Sequence, residues 1–156
     1  MKIARMKTAS IRIDLQNDSH LSGIPDEKRF EEWVRASLQH RVSNLEQTIR
    51  VVMPDESQQL NLAYRGMDKA TNVLSFPAER VEQLEYDYLG DLVICAQLVE
   101  SEALHQNKAA IAHWAHLVVH GMLHLQGLDH VDENEAEKME ALEIEILASL
   151  GHTNPY

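Results

Sequence analysis

The stretch HGMLHLQGLDH places histidines at His120, His124 and His130. His120 and His124 stand four residues apart in a segment of helical hydrophobic spacing, so their imidazoles share one face about one turn apart. Gly127 can end that helix in a left-handed conformation and turn the chain back, bringing His130 to the same point. Three neutral imidazoles with a fourth position left for water are the ligand pattern of a catalytic zinc site, not a closed structural one. Zinc held this way lowers the pKa of its water to about 7 and polarises a carbonyl or phosphoryl oxygen. The residues point to a metallohydrolase with one Zn²⁺, in which His120 belongs to the catalytic centre as well as to the ligand set.

Nine histidines make some helical coincidence inevitable, and His113 and His116 occupy the same helix. The row His116, His120, His124 cannot serve one ion, because its ends lie about 12 Å apart along the axis. His113 and His116 are therefore read as packing residues or supports of the ligands, and His20, His40, His105 and His152 as surface residues. The spacing equals that of H-E-x-x-H-x-x-G-x-x-H peptidases, glycine included. Gly121, however, stands where those enzymes carry their glutamate base, and a glycine can neither accept nor deliver a proton. Amide hydrolysis depends on that delivery more than phosphodiester cleavage does, which disfavours a peptidase. Asp129 is either a turn-stabilising residue or an orienting group beside His130. In NLAYRGMDKATNVLSFP, from Asn61 to Pro77, Arg65 falls at a helix end beside Gly66. Its guanidinium suits bidentate phosphate binding, and the plain alternative is a C-terminal helix cap.

The elements that must hold these residues follow from periodicity. Ser10 to Leu15 alternates like a strand, and Asp26 to Gln39 is helical through Phe30, Trp33, Val34 and Leu38. Gln47 to Met53 is a β-branched strand. Pro54 and Asp55 start a helix with Leu60, Ala63 and Tyr64 inward. Val73 to Phe76 and Leu89 to Ile94 are short strands, joined by an acidic connection from Pro77 to Tyr88 that reads as a surface loop or a flap. Ala96 to Gln106 is helical, and Lys108 to Leu125, the most apolar helix, is central. The last helix opens on the capping box Asp132 to Glu135 and buries Ala136, Met139, Leu142, Ile146 and Leu150. The order predicts an α+β fold, a small mixed sheet packed with helices, with a zincin-like metal site on the central helix.

At 156 residues and 44% hydrophobic, the chain fits a single domain over 1–156 with a real core. One cysteine, Cys95, excludes an internal disulfide and suits a reducing compartment. The first residues lead into no apolar signal core and no stretch reaches a membrane span, so a cytoplasmic protein without membrane contact is expected. A net charge of −11 opposes non-specific nucleic-acid binding. Much of it lies in Asp132, Glu133, Glu135, Glu137, Glu140, Glu143 and Glu145, which one helix should present as a solvated face.

HGMLHLQGLDH at 120–130, YRGMDKATNVLSFP at 64–77 and LGDLVIC at 89–95 together resemble the YbeY-type endoribonucleases, over nearly the whole chain. The resemblance implies a zinc-dependent, single-strand-specific endoribonuclease acting in 16S ribosomal RNA 3′-end processing and ribosome quality control. It implies His120, His124 and His130 as metal ligands and Arg65 as the cleft arginine that handles RNA. The implied partners are single-stranded ribosomal RNA, the ribosome or its small subunit, a small-subunit ribosomal protein and an Era-type GTPase. Asn72 and Leu128 depart from many relatives, which carry aspartate and an aromatic there. The competing readings are a zinc-stabilised ribosome-assembly adaptor docking through the acidic helix, and the disfavoured metallopeptidase.

Overall fold

Alternation in SIRIDLQN makes β1 (Ser10–Asn17), which pairs in parallel with β2 (Asn44–Val52). The parallel pair needs a crossover, supplied by α1 (Glu27–Ser37). The Asp26 carboxylate accepts from the Arg29 backbone N–H at 3.0 Å and starts that helix. Next come α2 (Pro54–Arg65), β3 (Val73–Pro77) and β4 (Asp87–Cys95), followed by three helices, α3 (Ala96–His105), α4 (Ala110–Leu125) and α5 (Glu133–Ser149). The sheet order is β1-β2-β4-β3, with β4 parallel to β2 and antiparallel to β3. This is the computed structural model of the chain, and it describes residues 10–40, 42, 44–79, 87–129 and 131–156.

Successive strand residues face opposite sides of the sheet, and the two sides have separate cores. Leu45, Ile49, Val51, Leu92 and Ile94 pack with Phe30, Trp33, Trp114, Val118 and Met122 from α1 and α4. Val52, Leu74 and Val93 face the other way and pack with Leu60 of α2 and Phe76. Ten of the sixteen residues of α4 are buried, which makes it the central helix that its composition predicts. Among the described residues, no helix is long and apolar enough to cross a membrane.

The α+β architecture and mixed sheet agree with the sequence reading. The inner side of α2 agrees only at Leu60, which packs with Val52, Leu74 and Val93. Ala63 and Tyr64 are exposed, and the buried positions of that helix are Ser57 and Asn61. Both are used to pin the following loop: Ser57 Oγ donates to the Thr71 carbonyl at 2.8 Å, and Asn61 Nδ2 donates to the Lys69 carbonyl at 2.9 Å. The hydrogen bonds of Ser57 and Asn61 act with the packing of Leu60 to choose the face that turns inward. Of the connection from Pro77 to Tyr88, both ends are strand residues, while 80–86 lie outside the described residues.

Candidate active site

Gly121 sets how closely α4 approaches the sheet. A Cβ there would stand 2.7 Å from Leu92 Cδ2, 3.3 Å from Ser75 Oγ and 3.4 Å from Val73 Cγ2. Ser75 Oγ in turn donates to the Gly121 carbonyl at 3.1 Å, fastening the helix to β3. The residue that lacks a catalytic carboxylate therefore has a packing reason to be glycine. His120, its neighbour, and His124, one turn on, are carried to the edge of β3. Gly127, at φ 95°, then ends the helix, and Leu128 N–H donates to the Leu123 carbonyl at 3.1 Å, as the turn-back requires.

The Nε2 atoms of His120 and His124 lie 3.0 Å apart. Two Zn–N bonds of about 2.05 Å at a tetrahedral angle put their nitrogens about 3.3 Å apart, so this pair fits a shared ion with a small opening. The other nitrogen of His120 is fixed from behind: Nδ1 lies 2.7 Å from Glu143 Oε1. An ionised carboxylate only accepts, so Nδ1 carries the proton, and in the neutral ring Nε2 is the acceptor for the His124 Nε2–H. Glu143 is only 1% exposed. Its second oxygen accepts from the Tyr156 hydroxyl at 2.5 Å, and His116 Nε2 stands 3.4 Å from Oε1, within reach of charge attraction though not aligned as a hydrogen bond. Burial pushes the Glu143 carboxyl up, but the attraction of His116, His120 and Tyr156 outweighs it and holds the group at about 2. Burial and the Glu143 carboxylate together push the Tyr156 phenol well above its ordinary range.

Glu143 corrects the sequence reading of an acidic, solvated α5. Asp132, Glu133, Glu135, Glu137, Glu140 and Glu145 are exposed as expected, whereas Glu143 points into the protein. A signal existed: Glu143 is four residues after Met139 and three before Ile146, squarely within the apolar row. Tyr156 carried no such signal. His113 is also buried, with Nε2 2.8 Å from Glu102 Oε1, and Asn72 Nδ2 donates to the same oxygen at 3.0 Å. Asn72 is thus engaged as a donor and supplies no base.

Arg65 ends α2, where Gly66 adopts φ 71°, and lines a cleft of about 580 Å³ together with His120 and His124. Thr71, Asn72, Val73, Leu74 and Ser75 form one wall, and Gly127, Leu128 and Asp129 form part of the other. Arg65 and two of the expected ligands thus meet in one cavity. The expected third ligand, His130, lies outside the described residues. Among the described residues, no group of three or more His, Cys, Asp or Glu side chains is gathered as a metal site. The cleft thus gathers a guanidinium and two converging imidazoles along one lining.

The solution structure of the TM1509 protein from Thermotoga maritima is similar to this fold at a TM-score of 0.50, with 26% identity over 93% of this chain and 97% of that one. The family model described as endoribonuclease YbeY matches residues 14–151, and so the chain belongs to the YbeY family, endoribonucleases of ribosomal RNA processing.

Proposed function

We propose that the chain is a zinc-dependent, single-strand-specific endoribonuclease that matures the 16S ribosomal RNA 3′ end and serves ribosome quality control in the cytoplasm, acting as one domain over 1–156. The observation that carries the metal reading is the 3.0 Å approach of the His120 and His124 Nε2 atoms, with His120 backed by a buried carboxylate, in a cleft that Arg65 also lines. His120, His124 and His130 would hold the zinc, which supplies Lewis acidity and a water of lowered pKa when bound.

The protein's own groups have separable roles. Glu143 holds the His120 ring in one tautomer and one orientation, with its Nε2 facing the cleft. Arg65 grips the scissile phosphate through its planar fork and stabilises the charge that grows on it during cleavage. A water molecule, whose pKa a bound zinc would lower, and the RNA 2′-hydroxyl are the alternative nucleophiles, and product ends distinguish them: a 2′,3′-cyclic phosphate trapped early assigns the attack to the 2′-hydroxyl. With a net charge of −11, affinity for RNA must come from the cleft and from partners. The small ribosomal subunit, one of its proteins and an Era-type GTPase are the proposed partners. The six exposed acids of α5 and its N-cap favour a second, additional role, docking on a basic ribosomal protein. A peptidase is disfavoured, because Gly121 supplies no base and a Cβ there would already meet Leu92 Cδ2 at 2.7 Å.

Cleavage of a labelled single-stranded ribosomal RNA fragment tests this reading, with bound metal quantified. Loss on chelation, recovery with zinc, and loss in both His120→Ala and Arg65→Ala are expected, with zinc retained in Arg65→Ala. Cleavage that survives chelation and both substitutions refutes it.

A further inference from the structure

Tyr64 is the large aromatic of α2 that the sequence places inward and the structure turns out. It is 52% exposed, yet it lines the same cleft as Arg65, His120 and His124. Its ring is propped on Phe76 of β3, with centroids 4.5 Å apart and planes tilted by 53°. The backbone beneath it is held firmly. Gly66 N–H donates to the Leu62 carbonyl at 3.0 Å, and the buried Asn61 and Ser57 side chains tie the helix to Lys69 and Thr71. An aromatic ring that keeps half its surface open, on a fixed support in the lining that it shares with Arg65, has the form of a preorganised stacking platform.

The geometry points to Tyr64, backed by Phe76, as the subsite for an unpaired nucleobase of the RNA strand whose phosphate Arg65 holds. This rests on the RNA-cleaving reading of the cleft. Adjacent helix positions diverge by about 100°, so Arg65 and Tyr64 reach different parts of one strand, charge for the phosphate and π-face for the base. Stacking is open to every base, because each has a π-face, and closed to a duplex, where the faces are already covered. Tyr64 therefore selects for strandedness and not for sequence. It also supplies affinity that does not depend on positive charge, which this acidic chain has little of.

The test is RNA binding and cleavage by the full, zinc-loaded chain as wild type, Tyr64→Phe and Tyr64→Leu. The RNAs are a single-stranded oligonucleotide and a series in which one nucleotide at a time is abasic. Tyr64→Leu should raise Kd and KM roughly 5- to 150-fold, the span of one base–aromatic stack, with kcat nearly unchanged. Tyr64→Phe keeps the ring and should retain the affinity. One abasic position should weaken wild type and leave Tyr64→Leu unaffected, because the contact is already lost there. Unchanged Kd in Tyr64→Leu, or an abasic penalty equal in both proteins, overturns the stacking subsite while wild-type cleavage keeps the parent reading intact. Absence of both binding and cleavage by wild type overturns the two together. Tyr64 is a surface residue, and circular dichroism of each variant confirms that the fold is common to all.

Discussion

Replacing Glu143 separates a positioning role from a structural one, since its carboxylate touches His120 but not the cleft. Glu143→Gln keeps the shape and an acceptor for the His120 Nδ1–H while removing the charge; Glu143→Ala removes both. In Glu143→Ala the His120 Nδ1–H and the Tyr156 hydroxyl lose partners now at 2.7 and 2.5 Å. Breaking a buried ionic contact costs about 3–5 kcal/mol. Because the His120 side chain is 27% exposed and Tyr156 60% exposed, water recovers part of that, which leaves about 2–3 kcal/mol. For a chain of this size the melting temperature should fall by roughly 4–12 °C. Glu143→Gln should lose no more stability than Glu143→Ala and yet bind zinc about 10- to 100-fold more weakly, the usual effect of altering the hydrogen-bonded partner of a ligating imidazole. Chelator-competition titration at pH 7, beside thermal melts of the metal-free proteins, reads the two effects independently. Unaltered zinc affinity in folded Glu143→Gln and Glu143→Ala would refute the positioning argument. A wild type that takes up no zinc would remove the metal site itself.

Gly121→Ala should destabilise the protein by about 1–3 kcal/mol, because its Cβ meets Leu92 Cδ2 at 2.7 Å; an unchanged denaturation midpoint would contradict the close-packing account. Gly121→Glu, which rebuilds the peptidase pattern, should fail to yield a folded peptidase when assayed on a labelled peptide. Arg65→Lys should lose nearly as much kcat/KM on single-stranded RNA as Arg65→Ala, about 10²- to 10³-fold, because an ammonium cannot form the planar two-point contact; wild-type turnover by Arg65→Lys would exclude bidentate binding. The Glu143 carboxyl falls from 4.5 to about 2 on folding, equivalent to about 3 kcal/mol. A depressed folded-state pKa contributes stability that is complete above pH 4.5 and is lost as pH falls through 2, so denaturant midpoints of the metal-free protein should drop across that window. Glu143→Gln should flatten this dependence, and identical pH profiles would show the stabilisation to lie elsewhere.

Local signals in the sequence proved sufficient wherever the causes are local. Asp132 accepts the Glu135 backbone N–H, as the capping-box pattern predicts. Gly66 and Gly127 take positive φ where the helices must stop. The four-residue spacing of His120 and His124 converges at Nε2 as helix geometry requires. What stayed hidden depends on partners distant in the chain. Glu143 resembles its acidic neighbours until α5 is laid against α4 and Tyr156 is brought beside it. The outward turn of Tyr64 follows from the carbonyls of Lys69 and Thr71, which claim Asn61 and Ser57 and, with the packing of Leu60, choose the inner face of α2.

Gly121 shows why a site can be half legible. Read as a motif, it marks only a missing base, and the chemistry inferred from it is negative. In the fold it lets α4 come to rest on Leu92, Val73 and Ser75, closer than any side chain would allow. That approach carries His120 and His124 into the cleft that β3 walls and Arg65 borders. Restoring a carboxylate at 121 would therefore push the helix, and both imidazoles with it, away from the wall that completes the cleft. The absence of a carboxylate at 121 and the close seating of α4 that brings the two imidazoles to the cleft are therefore one structural feature.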